Sequence, residues 1–598
     1  MSEARDLIYI NVGVTGHRVV GEHVKPRLRE VLHEVLSEVR VAASGVYESK
    51  RLFFESIDGG AGVKTRVISS LAEGVDRMVA QEALGQGYEL QVPLPFRQER
   101  YESTFEEGAE ALQEFRTLLQ QATAVFCADF EAQESSKAYE DASKVMLSHS
   151  DVLIAVWNGK PNKYIAGTYP TIREALRMHV PIICISSENP DKIAYVQDSC
   201  ERLDWKEALH ERLGRVLLPA DDLVDKPIHL TGIPFPAQQM PHHPKKDYDL
   251  NGLVERFMLK KDELRPLADP VLTPSFEADA EKMAQLKETG SRLWGEVKKT
   301  YSGLSGVYSG LFRNSMVLRI LVPLLALMLL IGALNTDGWL EVVLYVLQVV
   351  MLVFVIWLVR REKSARTNRC FYGYRVLAER SRISTFLSVI GYSNANLTNS
   401  SYMEGGTRSE GVWYYRILQR ERGLPNMTLD MEQTKAWLQW LRKEFLCSQL
   451  KYHYKRKEKS FVLQRRLGKL ALVSFYGGLL ATIVRACADS LDFASTMGYA
   501  GALALFLPSL ATFWTSYSGN SGYSLHYAAS SGMESKLRSL ISDVDMLLSE
   551  YHGENKSFVL SKIGIGTLFK LSEQLEVCCM EELSDWEDSI QSRMLKLV

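Results

Sequence analysis

Four long apolar runs lie in the second half of this chain, and they limit what it can fold into more than any other feature. They are Val317–Leu334, Leu340–Val359, Leu470–Val484 and Tyr499–Trp514. A hydrocarbon core of roughly 30 Å takes about 20 apolar helical residues to cross. The second run meets that length outright. The others reach it once Arg319, Lys469 and Arg485 snorkel to the interface. Buried core helices carry apolar stretches of only about 10–14 residues, and most keep a polar stripe. These runs keep almost none, so four transmembrane helices are expected.

Charge sets their sidedness. The link Asn335–Gly338 between the first two runs holds no base. Segment 360–469 opens with Arg360, Arg361, Lys363, Arg366 and Arg369 and closes with Lys455, Arg456, Lys457, Lys459, Arg465, Arg466 and Lys469. It belongs in the cytoplasm, and four crossings put both termini there too. The link between the third and fourth runs sets Asp489 and Asp492 against Arg485, as expected outside. The polar start Met1–Asp6 lacks the pattern of a secretory signal. Eight scattered cysteines with no CxxC spacing, and only Cys578 and Cys579 adjacent, indicate a reducing compartment and no metal site. His242–His243, between prolines, reads as an exposed loop. A net charge of -2 with 24% charged residues gives no reason to expect nucleic acid as a partner.

The first third is different. Strand candidates Ile8–Val14, Val67–Leu71, Glu89–Pro93, Ala124–Cys127, Val152–Trp157 and Ile182–Ser186 alternate with helix candidates near 25–42, 74–85, 106–122, 137–149 and 169–179. Val/Ile/Leu-rich strands separated by helices predict an α/β, Rossmann-like parallel sheet, here followed by an all-α region. From 190 to 315 the pattern weakens to a helix near Trp205–Leu213, the Pro-rich Ile233–Pro236 and charged helical segments Asp249–Leu264 and Phe276–Thr300. The resulting division is a sheet domain (1–190), a connecting arm (191–315), a membrane hairpin (316–360), a cytoplasmic helical insertion (361–468), a second hairpin (469–516) and a C-terminal helical region (517–598). Pro323 and Pro508 interrupt one apolar run per half, a faint architectural repeat.

Three loops at strand ends carry the chemistry. Gly13, Val14, Thr15, Gly16, His17 and Arg18 close the first strand. Glycines there admit a phosphate close to the backbone, Thr15 can donate a hydrogen bond and Arg18 can pair with phosphate oxygens. In the second loop, Ser70, Glu73, Gly74, Asp76 and Arg77 follow a strand and open a helix. Glu73 and Asp76 suit ribose hydroxyls or the helix N-terminus, and Arg77 can offer charge to phosphate. In the third, Asn158, Gly159 and Lys160 follow a strand, and Gly167 and Thr168 open a helix. Such loops converge where parallel sheets bind ligands. Tyr101, Phe105, Tyr139 and Trp157 are candidates for stacking on a base or for the wall. Gly59–Thr65 imitates an ATPase phosphate loop, but Val63 separates glycine from lysine and the segment precedes a strand, so it reads as a turn.

In order, Gly13–Arg18, Ser70–Arg77, Pro93–Phe105 and Ser150–Thr168 resemble the SLOG superfamily over residues 7–186. That family includes cytokinin-activating phosphoribohydrolases, DNA-processing proteins and nucleotide-signal sensors of bacterial defence. The resemblance implies a cyclic nucleotide or cyclic ADP-ribose-type signal as ligand. Phosphoribohydrolase members carry a glutamate two or three residues after a Gly-Gly-x-Gly-Thr stretch. Here Thr168 is followed by Tyr169, Pro170 and Thr171, the nearest acid is Glu174, and Ala166 replaces a glycine. A cradle without its acid suits sensing better than enzymatic turnover, although Glu73 or Asp76 could still act as an acid or base. Tyr374–Arg382, just after two apolar helices, looks like the SLATT-type membrane effectors that accompany such sensors. Together these imply an antiphage effector of the CBASS or Thoeris type in the bacterial inner membrane. It would serve a signal-producing nucleotidyltransferase or TIR protein, assemble as a homo-oligomer in the lipid bilayer and open a poorly selective breach. The alternative is a membrane-anchored enzyme acting on nucleotides or NAD. A transporter is disfavoured by the scarcity of intramembrane charge.

Overall fold

The computed structural model describes residues 8–105, 108–130, 135–161, 166–198, 200–202, 204–219, 250–259, 279–365, 367–393, 410–490, 494–550 and 564–595. Ile233–Pro236, His242–His243, Arg366 and Asp492 lie outside them. The first third alternates as anticipated: β1 (Ile8–Gly16), α1 (Lys25–Ser49), α2 (Arg51–Asp58), β2 (Val63–Ile68), α3 (Val75–Gly85), β3 (Glu89–Leu94), α4 (Gln98–Glu102), α5 (Gly108–Gln120), β4 (Ala122–Asp129), α6 (Ser135–His149), β5 (Val152–Trp157), α7 (Thr168–Arg177) and β6 (Ile182–Ser186). β7 (Ile193–Gln197), β8 (Cys200–Arg202) and α8 (Trp205–Leu217) follow. The rest of the described residues are helical apart from one strand: α9 (Leu250–Met258), α10 (Ala280–Ala333), α11 (Trp339–Ala365), α12 (Thr367–Leu387), α13 (Glu410–Arg422), β9 (Met427–Asp430), α14 (Met431–Trp440), α15 (Cys447–Ser490), α16 (Ala494–Ser521), α17 (Tyr523–Glu550) and α18 (Ile565–Leu595).

The strands form one sheet in the order β8-β7-β6-β5-β1-β2-β3-β4-β9. It is parallel from β6 to β9, and β7 and β8 run antiparallel at one edge. Alternation divides the core. Val152, Ile154 and Val156 of β5 enter one hydrophobic cluster with α1, α3 and α5. Leu153 and Ala155 enter a second, with α14, α17 and α18. β2 starts four residues before the predicted Val67. The glycine-rich stretch ahead of it is a turn, held by the Asp58 carboxylate accepting from the N–H groups of Gly60 (2.8 Å) and Gly62 (3.1 Å).

Two parts of the sheet come from outside the region read as the sheet domain. β7 and β8 lie where the connecting arm was expected; at five and three residues they are too short to show a period. β9 belongs to the stretch read as a helical insertion and pairs with β4, Phe126 opposite Met427, some 300 residues away in sequence. The insertion is bolted on by a buried polar joint. Arg420 of α13 meets Asp151 at 2.7 Å, with side chains 2% and 0% exposed. The other Asp151 oxygen accepts from the Asn11 N–H at 3.0 Å. Arg66 donates to the Arg420 carbonyl (2.8 Å) and the Glu421 carbonyl (3.3 Å), satisfying the last turn of α13.

Among the described residues, three helical paths are long and apolar enough to cross a membrane: Ala280–Ala333, Trp339–Arg361 and Met431–Cys487. The second buries none of its apolar window. Exposed apolar surface on this scale needs a bilayer or a partner to cover it. α16 carries the fourth run and lies antiparallel to α15. A Cβ on Gly478 would come within 2.6 Å of the Pro508 ring, and one on Gly501 within 2.4 Å of Arg485. Small residues let these helices approach closely. α10 is one helix of 54 residues, about 80 Å at 1.5 Å per residue. One face of its first half packs tightly on α12 and the core beneath it: a Cβ on Gly290 would lie 2.2 Å from the Thr385 carbonyl of α12, and Trp294 is 2% exposed.

Removing one partner of a buried ion pair leaves the other charge uncompensated, at a cost of about 3–5 kcal/mol. Arg420→Ala is predicted to lower stability by that amount in thermal unfolding of the detergent-solubilised chain. The double variant Asp151→Asn/Arg420→Met is predicted to recover part of the loss. Full additivity of the two changes would show that they do not act as a pair.

Candidate functional site

The three loops predicted to converge do so. β5, β1 and β2 are neighbours in the sheet, and the chain passes from β4 through α6 to the far side of β1. Their C-terminal ends therefore meet at the topological switch point of the sheet, where open α/β folds bind ligands.

β1 runs two residues beyond the predicted Val14, so Thr15 and Gly16 are strand residues, paired with Ala155 and Val156. Several glycines serve loop packing. A Cβ on Gly13 would lie 2.4 Å from the Ser150 hydroxyl, and one on Gly16 2.4 Å from Val75. Gly74, with φ +87°, has the Arg18 carbonyl 2.1 Å from where its Cβ would stand. It is the position that brings the second loop against the first, and no residue with a side chain fits there. The third loop is tied in by His17, whose Nε2 accepts from the Asn158 N–H at 3.2 Å, placing the ring proton on Nδ1. Gly159 and Gly167, with φ +78° and +119°, meet open space and shape the outer rim.

The polar side chains form a graded cluster. Arg18 is exposed at the mouth, its guanidinium 5.4 Å from the Tyr139 ring centroid. Thr15, Glu73, Asp76 and Thr168 are buried. Ser70 is half-buried next to Leu71, a non-glycine residue at φ +55°. That conformation is sparsely populated and marks stored strain. The Leu71 N–H donates to the Ser69 hydroxyl, which donates to the Asp76 carbonyl. Burial pushes the Asp76 carboxyl up to about 7; the N–H of Ala72, the Arg18 charge, the N–H of Gly16 and the Arg77 charge offset only part of that.

Two residues singled out from sequence do other work. Arg77 is 1% exposed and donates to the carbonyls of Leu71 (3.1 Å) and Ala111 (2.8 Å), with its guanidinium 4.4 Å from the Phe105 ring. It fastens α3 to α5, so it is a packing residue. Lys160 is exposed and pairs with Glu188 at 3.2 Å. Of the stacking candidates, Tyr101 is fully buried among Phe105 and Phe115, and Trp157 stacks on Tyr169 at 5.6 Å. Sequence reading missed Arg97, just after β3. It holds Asp129 at 2.6 Å and reaches Asp430, 3.6 Å away. Asp430 caps α14 through the Gln433 N–H at 2.8 Å, so the rim of the sheet touches the start of a path to the apolar spans. Its partners lie 32 and 333 residues away, and no local motif announces them.

The Asp76 carboxyl sits above its unfolded value of 3.8. Stability tied to its neutral form is thus fully present below pH 4 and is lost as pH rises through 7. A shift of this size corresponds to on the order of 4 kcal/mol. Asp76→Asn cannot ionise. It is predicted to gain thermal stability over wild type progressively from pH 4 to 7, with the two coinciding at the acid end. A difference independent of pH would show that Asp76 does not titrate in that window. In comparison with known proteins, this chain matches no family model and no curated sequence.

Proposed function

We propose that this protein is a ligand-gated membrane effector. A SLOG-like sheet domain binds a cyclic nucleotide or an NAD-derived cyclic signal at the crown formed by Gly13–Arg18, Ser70–Asp76 and Asn158–Thr168. Arg18 contacts phosphate, and Thr15 and Glu73 serve as polar partners. The helical region holds four spans in the bacterial inner membrane, with both termini and the crown in the cytoplasm. Binding drives homo-oligomerisation and a poorly selective breach that kills a phage-infected cell. The signal would come from a nucleotidyltransferase or a TIR protein.

The carrying observation is the physical continuity between crown and spans. β9 at the sheet edge runs directly into α14, a π-helical turn at Leu441–Leu446, and α15, whose second half is apolar. Arg97 ties the crown side of β3 and β4 to Asp430, where β9 turns into α14. A ligand shifts such an equilibrium only by its differential affinity for the two states, tenfold per ~1.4 kcal/mol. The spans carry Ser474, Thr482, Ser509 and Thr512, whose hydroxyls in Thr482, Ser509 and Thr512 donate to carbonyls within their own helices. No ring of charge is available among them for ion selection.

Asp76 supports a second reading, a membrane-anchored enzyme acting on nucleotides or NAD. A carboxyl held at about 7 at the end of a parallel sheet is suited to proton transfer.

Full-length protein in dye-loaded liposomes, given cyclic oligonucleotides and cyclic ADP-ribose-type molecules with product analysis, separates the two. The effector reading predicts dye release by one ligand that is recovered intact. Arg18→Ala is predicted to weaken binding at least tenfold. Arg97→Ala is predicted to keep binding and lose most of the release. Turnover without release would establish the enzyme instead.

A further inference from the structure

Next to the spans, where α9, α10, α12, α15, α16, α17 and α18 meet, lies a cavity of about 650 Å³, within the range that holds a small molecule. It is far from the crown in the chain and shares no residue with it. Its lining is graded along the helix axes. α10 reaches its apolar run at Val317, and α12 begins two residues after α11 ends. Phe312, Met316 and Phe371 therefore mark the end nearest the spans, where they form a small apolar cluster. From Met316 back to Ser302 the wall extends about 20 Å at 1.5 Å per residue. Ser302, Ser305 and Ser309 present hydroxyls along it.

Positive charge gathers around it. Arg375 comes from α12, Lys455, Arg456 and Lys459 from α15, and Arg313 from α10. Against these five bases stand two carboxylates, Glu255 and Glu582. Arg375 pairs with Glu379 at 2.7 Å, Arg456 lies 2.9 Å from His526 Nδ1 and 3.7 Å from Glu582, and Lys459 pairs with Glu255. Burial works to raise the Glu582 carboxyl, but His453 and the Arg375 and Arg456 charges hold it down at about 2. With Glu379 counted beside Arg375, the site keeps an excess of two positive charges. Guanidinium groups with neighbouring hydroxyls recognise phosphate oxygens, and basic clusters at the cytoplasmic face of spans attract anionic lipid.

We propose that this cavity holds an anionic phospholipid, its phosphate between Arg375 and Arg456 and its acyl chains leaving past Phe312, Met316 and Phe371. A soluble nucleotide offers the same phosphate chemistry but has nothing to place against the apolar end. The site rests on the reading that α10 and α15 enter a bilayer. Its occupant would make membrane composition a second input to the same helices that the crown addresses.

Gly306 gives a probe that leaves every charge in place, since a Cβ there meets nothing within 4 Å. Full-length protein is extracted in detergent, stripped of lipid and offered phosphatidylglycerol and phosphatidylcholine, with retention read by native mass spectrometry. Wild type is expected to retain phosphatidylglycerol at least tenfold over phosphatidylcholine. Lys455→Gln/Arg456→Gln and Gly306→Phe are each expected to bring that ratio near one while still floating with liposomes. Equal retention by wild type, or a preference that survives both variants, overturns the proposal. Displacement of the lipid by millimolar inorganic phosphate or ADP overturns it in favour of a soluble phosphate ligand. Failure of wild type to float with liposomes would instead remove the membrane reading on which the site rests.

Discussion

An ion pair sealed inside a protein has no solvent to fall back on, and the joint between the two halves of this molecule rests on one. Arg420 and Asp151 are almost wholly buried, 2.7 Å apart, and Asp151 also accepts from the backbone of β1. Its attraction need only offset the desolvation of both groups. Its consequence is positional, because neither partner tolerates loss of the other. The pair fixes α13 on the sheet, α13 leads into β9, and β9 leads into α14 and α15. The α/β body and the apolar helices are thereby held in register by a contact between residues 269 positions apart in sequence.

The same logic recurs around the joint. Arg66 satisfies the last carbonyls of α13, and Asp141 of α6 accepts from the first N–H groups of α18, at 2.9 Å from Ile565 and 3.2 Å from Gly566. Helix ends that would otherwise be unsatisfied in the interior are closed by side chains from the sheet region. The helical half is thus built onto the sheet at several helix termini. A displacement at the crown has rigid elements to act on, with α10 and the α14–α15 path each running from the sheet body into apolar segments.

Much of this was legible in the chain. Parallel strands buried on both faces read as continuous Val/Ile/Leu runs, and β1, β3, β5 and β6 fell within a few residues of their predicted limits. Gly13 and Gly16 were visible as positions where something must come close to the backbone, and what approaches is Ser150 and Val75 of neighbouring segments; Gly74 was visible only as a turn residue, and the Arg18 carbonyl lies against it. Legibility ended where partners were distant or elements short. β9 has four residues and no period of its own. Arg77, in a promising motif, is claimed by carbonyls of Leu71 and Ala111, and no local pattern reveals which of two directions an arginine takes. The basic residues Lys455, Arg456 and Lys459 were read as a topology signal; packing also sets them around a cavity shared by seven helices. Apolar runs predicted spans by their length and lack of a polar stripe, and the close approach of Gly478 to Pro508 is the kind of detail only packing supplies.

The central claim is that occupancy of the crown is felt at the spans. Hydrogen exchange of the full-length protein in lipid nanodiscs, with and without a bound nucleotide signal, tests it most directly. The account predicts protection at Gly13–Arg18 and Ser70–Arg77 together with altered exchange across Met427–Leu446, where the sheet edge becomes the helical path. Protection confined to the crown, with that joint unchanged, would contradict it.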